Sequence, residues 1–386
     1  MILLQSDVYW NGIRACQTQP MAKTWGAAQQ AHAADRLIER LIVASLGYVS
    51  FQFLLGVSCH PAAADAPAVG ADKRSVDRAW RSQESLLITE AKMKRIGDLT
   101  IPQIASLYAR VPANRLEEFQ AFRRTFPYKD MIHDGVTWPY LTGGQGDPPL
   151  LLLSGALAIP DISWTTIVNF AARRRVIVPA YPPVMTMDTL VDGIAAVLRH
   201  EGVDQAHVMG GSYGGFVAQV FVRHHPQLTR SLVLSHTLPP YPETAARIRS
   251  FARLLRWMPM GLVRQMMRRV FRSMMPEWSE ETACLLAIFD ELIGYTLDKK
   301  DVTGILERTV DYSVRSFAPQ DLSGWPGKVL LVFGDDDPAT PPDVRQRLES
   351  LYPGCQVHLF EGAGHTTSVT HQDEYLAVIN EFLSQP

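Results

Sequence analysis

Ala206-His207-Val208-Met209-Gly210-Gly211-Ser212-Tyr213-Gly214-Gly215-Phe216-Val217-Ala218-Gln219-Val220-Phe221 decides how this chain folds. An apolar run of strand length ends in two glycines, a serine follows, and two more glycines lead into apolar residues at helical spacing, through to about His225. A strand that passes straight into a helix must turn sharply at residue 212. Side chains two positions either side of the serine would collide in that turn, and the serine backbone itself is strained, so glycines flank it. The turn lifts the Ser212 hydroxyl clear of the sheet edge. The helix behind it offers unpaired N–H groups and the positive end of its dipole.

Outward from this stretch the pattern repeats. Short apolar runs bounded by turn residues lie at Leu150–Leu153, Val176–Val178, Leu232–Leu234, Val329–Phe333 and Val357–Leu359, and read as fully buried strands. Met131–His133 and Val136–Leu141, separated by Asp134-Gly135, read as a hairpin. Amphipathic helices are expected from Asn114 as a cap (Leu116, Phe119, Phe122), from Asp188 (Leu190, Ile194, Val197, Leu198), and at the C-terminus (Leu376, Ile379, Phe382). Buried strands alternating with such helices predict an α/β fold, a mostly parallel central sheet with helices on both faces. The alternation stops between Leu238 and about Leu322, a helical insert expected to project as a lid. The expected organisation is an N-terminal extension at 1–92, a first core part at 93–237, the lid at 238–322 and a second core part at 323–386.

A serine hydroxyl is a weak nucleophile at neutral pH and needs a base, itself held by an acid. In strand–serine–helix architectures both follow the serine, acid before histidine. Gly334-Asp335-Asp336-Asp337-Pro338 directly follows a strand; Asp335 and Asp336 suit the turn, and Pro338 biases Asp337 to an extended backbone. Gly362-Ala363-Gly364-His365 follows the next strand, on small residues that let the loop bring the imidazole towards Ser212. Of eleven histidines, His200, His224, His225 and His371 lie on or beside helices and read as surface residues; His236, which ends a strand near the same sheet edge, is the rival base. The loop Ser154-Gly155-Ala156-Leu157 is placed to supply an oxyanion donor, giving the backbone N–H groups of Ala156 and Tyr213 as the expected pair.

These ordered motifs, over about residues 115–386, resemble the α/β-hydrolase superfamily. The resemblance implies the α/β-hydrolase fold with a helical lid insert, and a catalytic triad of Ser212, Asp337 and His365. Phe122-Arg123-Arg124-Thr125-Phe126-Pro127-Tyr128-Lys129, Trp138 and Ala180-Tyr181-Pro182 resemble the maspardin branch, whose members are regarded as binding partners with degenerate acid and base positions. This chain departs from that pattern in having both Asp337 and His365, and from common hydrolases in having Ser154 where His-Gly usually opens the oxyanion loop. The expected activity is hydrolysis of an ester, thioester or amide of a small hydrophobic acyl substrate through an acyl-enzyme, with no cofactor and no metal. The alternatives are acyl transfer or C–C bond hydrolysis by the same triad, and a non-catalytic maspardin-like binding protein.

In the lid, Thr244–Met275 holds eight arginines and no acid, together with Met258, Met260, Met266, Met267, Met274 and Met275. A Met-rich face suits varied apolar ligands, and a basic face suits an acidic partner, an anionic substrate or a membrane surface. The plainer alternative is an amphipathic helix with arginines in water or neutralised by Glu280, Glu281 and Asp290.

A formal charge of −2 excludes a globally basic nucleic-acid surface, and no phosphate-loop or zinc motif is present. The four cysteines, Cys16, Cys59, Cys284 and Cys355, are too scattered for a disulfide framework. Residues 1–92 are rich in Ala, Gln and Ser. Arg36 and Arg40 precede a nearly apolar run from Leu41 to Cys59 and small residues at 62–64, which reads as a signal or membrane anchor, with Cys59 a minor candidate for lipid attachment. The competing expectation is a start at Met93. The protein is then cytoplasmic; otherwise it is membrane-anchored or exported. Membrane contact is thus expected through residues 41–59 or the basic lid helix.

Overall fold

The computed structural model describes residues 96–385 apart from 274 and 276–278. The expectations for residues 1–92, the apolar run 41–59, Cys16, Cys59 and the Met93 start fall outside the described residues. Cys284 and Cys355 are free thiols.

Two helices, α1 (Pro102–Leu107) and α2 (Ala113–Thr125), precede the hairpin β1 (Lys129–His133) and β2 (Val136–Gly143). Then come β3 (Leu150–Leu153), α3 (Trp164–Ala171), β4 (Val176–Pro179), α4 (Met187–His200), β5 (Ala206–Gly211), α5 (Tyr213–His224) and β6 (Thr229–Ser235). Four helices follow: α6 (Pro242–Trp257), α7 (Met260–Ser273), α8 (Glu280–Glu291) and α9 (Lys299–Ser313). The chain returns with β7 (Lys328–Gly334), α10 (Pro342–Ser350), β8 (Gln356–Phe360), the single turn α11 (Thr367–Thr370) and α12 (Gln372–Leu383).

The eight strands form one sheet in the order β1-β2-β4-β3-β5-β6-β7-β8. β2 runs antiparallel to both neighbours, and every other pairing is parallel. The hairpin turns where expected: Asp134 (φ 50) and Gly135 (φ 72) both take the left-handed conformation, and His133 pairs with Val136. Alternation along each strand divides the core into two layers. Leu150, Leu152, Val176, Met209, Val233 and Leu330 pack with Phe119, Ile167, Phe170 and Ile379 of α2, α3 and α12. Leu151, Leu153, Ile177, Val208, Leu232 and Leu331 face Leu190, Ile194, Val220, Phe221 and Leu348 of α4, α5 and α10. The indole of Trp138 lies where a side chain on α4 would stand; a Cβ at Gly193 would come within 1.8 Å of it.

The expected cap of α2 is corrected. Pro112, not Asn114, is the N-cap of α2, and Asn114 sits inside its first turn. Proline's fixed φ leads into a helix without a side-chain acceptor. α4 opens at Asp188 as expected, in its first turn, and is capped by Thr186, whose hydroxyl accepts from the Thr189 N–H.

Between β6 and β7 no strand forms among the described residues. A small core of its own, Ile248, Ala252, Leu255, Val263, Val302 and Leu306, joins α6, α7 and α9, and Met258, Met260, Met266 and Met267 lie against it. Asp290 of α8 neutralises Arg268 (2.9 Å) and Arg272 (2.7 Å), while Glu281 pairs with Arg115 of α2. No helix among the described residues is long and apolar enough to cross a membrane.

Glu291, buried at the end of α8, accepts from the Gly97 N–H and the Tyr108 hydroxyl, each at 2.7 Å. Burial outweighs those bonds and, with the nearby Asp161, pushes its carboxyl up to about 7. A raised carboxyl contributes stability that is complete below the unfolded value near 4.5 and is lost as pH rises through 7. The neutral variant Glu291→Gln is therefore expected to escape that loss. The wild-type minus variant difference in unfolding free energy should shift by roughly 3 kcal/mol between about pH 4 and about pH 8. Parallel denaturant titrations at the two pH values check it, and a constant difference would refute it.

Candidate active site

The carboxyl ends of β3, β5, β6, β7 and β8 share one rim, and the residues singled out from sequence stand on the loops leaving it. Ser212 follows β5 with φ 52 and ψ −122, a conformation that L-residues seldom hold without support. Its N–H donates to the Ser235 carbonyl at 2.9 Å, and its carbonyl accepts from the Thr237 hydroxyl at 2.8 Å. The glycines are needed for contact reasons. A Cβ at Gly210 would stand 2.1 Å from the Gly214 carbonyl oxygen, and one at Gly214 would stand 2.2 Å from that of Leu153. Both obstacles are backbone and cannot rotate away. Gly214→Ala is expected to destabilise the protein by at least about 2 kcal/mol. Chemical denaturation measures this, and an unchanged midpoint would contradict the packing described.

Asp337, on the loop after β7, is 2% exposed. Its Oδ1 accepts from the Ala339 N–H at 2.9 Å, and its Oδ2 from the Thr340 hydroxyl at 2.9 Å. His365 Nδ1 lies 2.9 Å from the same Oδ2, and His236 Nδ1 lies 3.2 Å from it. Burial alone would raise this carboxyl. The hydrogen bonds and charge of His236 and His365 outweigh burial and hold it well below the usual carboxylate range. Asp335 and Asp336 are exposed turn residues, as expected, but their carboxylates also accept from the N–H groups of Gly362 (2.8 Å) and Gly364 (2.7 Å). The three aspartates thus fix the His365 loop against the end of β7.

The structure joins Asp337 and His365 directly, and ties Ser212 to them through residues 235–237. Beyond the Asp337 carboxylate, the His365 imidazole has a further interaction partner. His236 is a second imidazole on the acid. It is buried with φ 48, its Nε2 is 2.7 Å from the Thr367 hydroxyl, and the two histidine rings stand 5.6 Å apart. Burial pushes the His236 imidazole down. His225, read from sequence as a surface residue, is buried and bonds to Asp192 at 3.0 Å. The end of α5 turns it back towards α4, against the ring of Phe221.

Across the rim, the loop after β3 turns tightly at Ala158 (φ 61), whose N–H donates to the Gly155 carbonyl at 2.9 Å. Neither Ala156 nor Tyr213 donates its N–H to a protein acceptor among the described residues. The Tyr181 hydroxyl donates to the Ser154 carbonyl at 3.1 Å, and its ring packs on that of Tyr213. Arg308 of α9, 1% exposed, was not foreseen. Its guanidinium donates to the Tyr213 hydroxyl at 2.6 Å and to the carbonyls of Pro182 (3.0 Å) and Val184 (2.6 Å). Of the four non-glycine residues with positive φ among the described ones, Ala158, Ser212 and His236 all stand at this rim. Held strain of this kind collects at functional sites.

Residues 148–372 match the sequence profile of a family described as the alpha/beta hydrolase fold. The chain is 24% identical over 271 residues to a proline iminopeptidase of Lactobacillus helveticus (strain DPC 4571), covering 62% of this chain and 90% of the relative. It is 27% identical over 204 residues to a pimeloyl-[acyl-carrier protein] methyl ester esterase of Neisseria meningitidis serogroup B (strain ATCC BAA-335 / MC58), covering 50% and 72%. Its fold is similar to that of the enol-lactonase from Burkholderia xenovorans LB400, with TM-score 0.56 at 15% identity over 67% of this chain and all of that one.

Proposed function

The chain belongs to the α/β-hydrolase family, and from that premise we propose that it is a serine hydrolase that cleaves an ester, thioester or amide of a small hydrophobic acyl substrate. The observation that carries the reading is the 2.9 Å contact of His365 Nδ1 with a buried, ionised Asp337 on the rim where Ser212 is held at φ 52. A carboxylate on Nδ1 fixes the neutral tautomer with its proton there, and leaves Nε2 to act as base.

In this mechanism Ser212 attacks the carbonyl carbon and its proton passes to His365 Nε2. Asp337 stabilises the imidazolium. The N–H groups of Ala156 and Tyr213 receive the oxyanion, and His365 returns the proton to the leaving group. Water then attacks the acyl-enzyme by the same route. The Ser212–His365 bond is expected at its shortest in the substrate complex, where catalytic hydrogen bonds tighten. His236 is a poorer base: it is buried, and both ring nitrogens are engaged within the protein. The helices α6–α9 act as the lid over this rim. Relatives that are named for an amide and an ester bond support the hydrolase class and leave the acyl group open.

A fluorophosphonate probe tests the reading. The wild type is expected to be labelled at Ser212. An unlabelled protein would favour the non-catalytic, maspardin-like alternative. A graded panel of p-nitrophenyl esters and acyl-CoA thioesters then reads the chain length.

A further inference from the structure

The hairpin of α6 and α7 carries apolar side chains on its outside as well as its inside. Trp257 is 88% exposed, Leu254 58% and Leu262 44%, all at the turn between the two helices. Arg249 and Arg253 precede Trp257 at successive four-residue steps, so the three share one exposed row of α6. Neither arginine pairs with a carboxylate among the described residues, whereas Arg256 is balanced by Glu307 at 3.0 Å. The tip is held firmly from behind: Lys299 Nζ donates to the carbonyls of Arg256 (3.1 Å) and Met258 (2.8 Å).

We propose that this tip docks on an anionic lipid membrane. Tryptophan and leucine projecting from a convex helical turn, with arginines beside them, match the interface between acyl chains and acidic headgroups. A protein partner is the weaker fit. Three protruding side chains fall far short of the roughly 800 Å² per partner that a stable protein interface buries. The inference concerns the exposed tip of α6 and α7 and does not rest on the reaction proposed for Ser212.

The test uses the full chain and vesicles of phosphatidylcholine alone or mixed with phosphatidylglycerol, read by co-sedimentation. Two variants are compared with the wild type, Arg249→Gln/Arg253→Gln and Leu254→Ser/Trp257→Ser. All four side chains are exposed, so melting temperatures should be unchanged. The wild type is expected to sediment with the mixed vesicles, less so in high salt. At about fivefold per basic side chain, the arginine variant should partition roughly 25-fold more weakly onto the acidic vesicles. The apolar variant should lose binding even at low salt. Absence of wild-type sedimentation overturns the proposal. So does equal sedimentation of all three proteins, which would assign any binding to another segment such as residues 41–59. A change in oligomeric mass on mutation, without lipid, would instead give the tip to a second copy of the chain.

Discussion

Protein carrying Ser212→Ala is expected to turn over any ester of the wild type with kcat lower by about 10⁴–10⁶-fold, and KM little changed. The size follows from removing a covalent step. Without the hydroxyl no acyl-enzyme forms, and what remains is the stabilisation offered by the oxyanion donors and by binding. The substitution deletes one oxygen and leaves intact the N–H bond to Ser235 and the glycine contacts that hold the turn. The variant should therefore melt with the wild type, so that lost turnover reports chemistry and not unfolding. Steady-state kinetics on purified variant decide it; turnover within tenfold of the wild type would end the serine mechanism.

Asp337→Asn is expected to lower kcat by about 10⁴-fold, by a different route. Four donors converge on this carboxylate: the Ala339 N–H, the Thr340 hydroxyl, His236 Nδ1 and His365 Nδ1. An asparagine has one amide NH₂ in place of an oxygen, and whichever way it sits that group meets a donor. If it faces His365, the imidazole must switch tautomer, and Nε2 then carries the proton it should receive. The same replacement should alter acid unfolding. Because the native carboxyl is held well below its usual range, it contributes stability present above the unfolded value near 4 and lost as pH falls through the native one. The variant lacks that loss. Its stability should fall less steeply in acid than that of the wild type, while being lower at neutral pH. Activity preserved in the variant, or parallel acid profiles, would show that Asp337 does not hold the base.

Sequence carried the sheet well except at its edge, where Val357 and Leu359 of β8, expected to be buried, are about half exposed because no strand covers that side. Each central strand is a run apolar on both faces, and such runs have few other uses in a chain of this composition. The sharp turn at Ser212 was legible because only glycine fits at 210 and 214, and the rim positions of Asp337 and His365 because each lies on the loop after a strand. The misjudged features depend on contacts between distant residues. Pro112 won the cap of α2 by backbone direction, which residue type alone does not fix. His225 is polar at a helix end, where exposure is the ordinary outcome, yet the chain turns it back towards Asp192. The sharing of Asp337 by His236 joins residues 101 apart, and the reach of Arg308 to Tyr213 spans 95. No local pattern marks either pair. The arginines of 244–275 were visible as a charge run, but which were neutralised depended on Asp290 standing opposite Arg268 and Arg272.

Arg308 also decides which part of the insert is able to yield. Raising α9 would tear a guanidinium from two carbonyls and from the Tyr213 phenol, whose residue adjoins Ser212, and would pull the Tyr312 hydroxyl from the Leu238 carbonyl, held at 2.7 Å. That helix is frame, not door. If Ser212 is the nucleophile proposed above, α6, α7 and α8 rather than α9 are the helices expected to move to admit substrate.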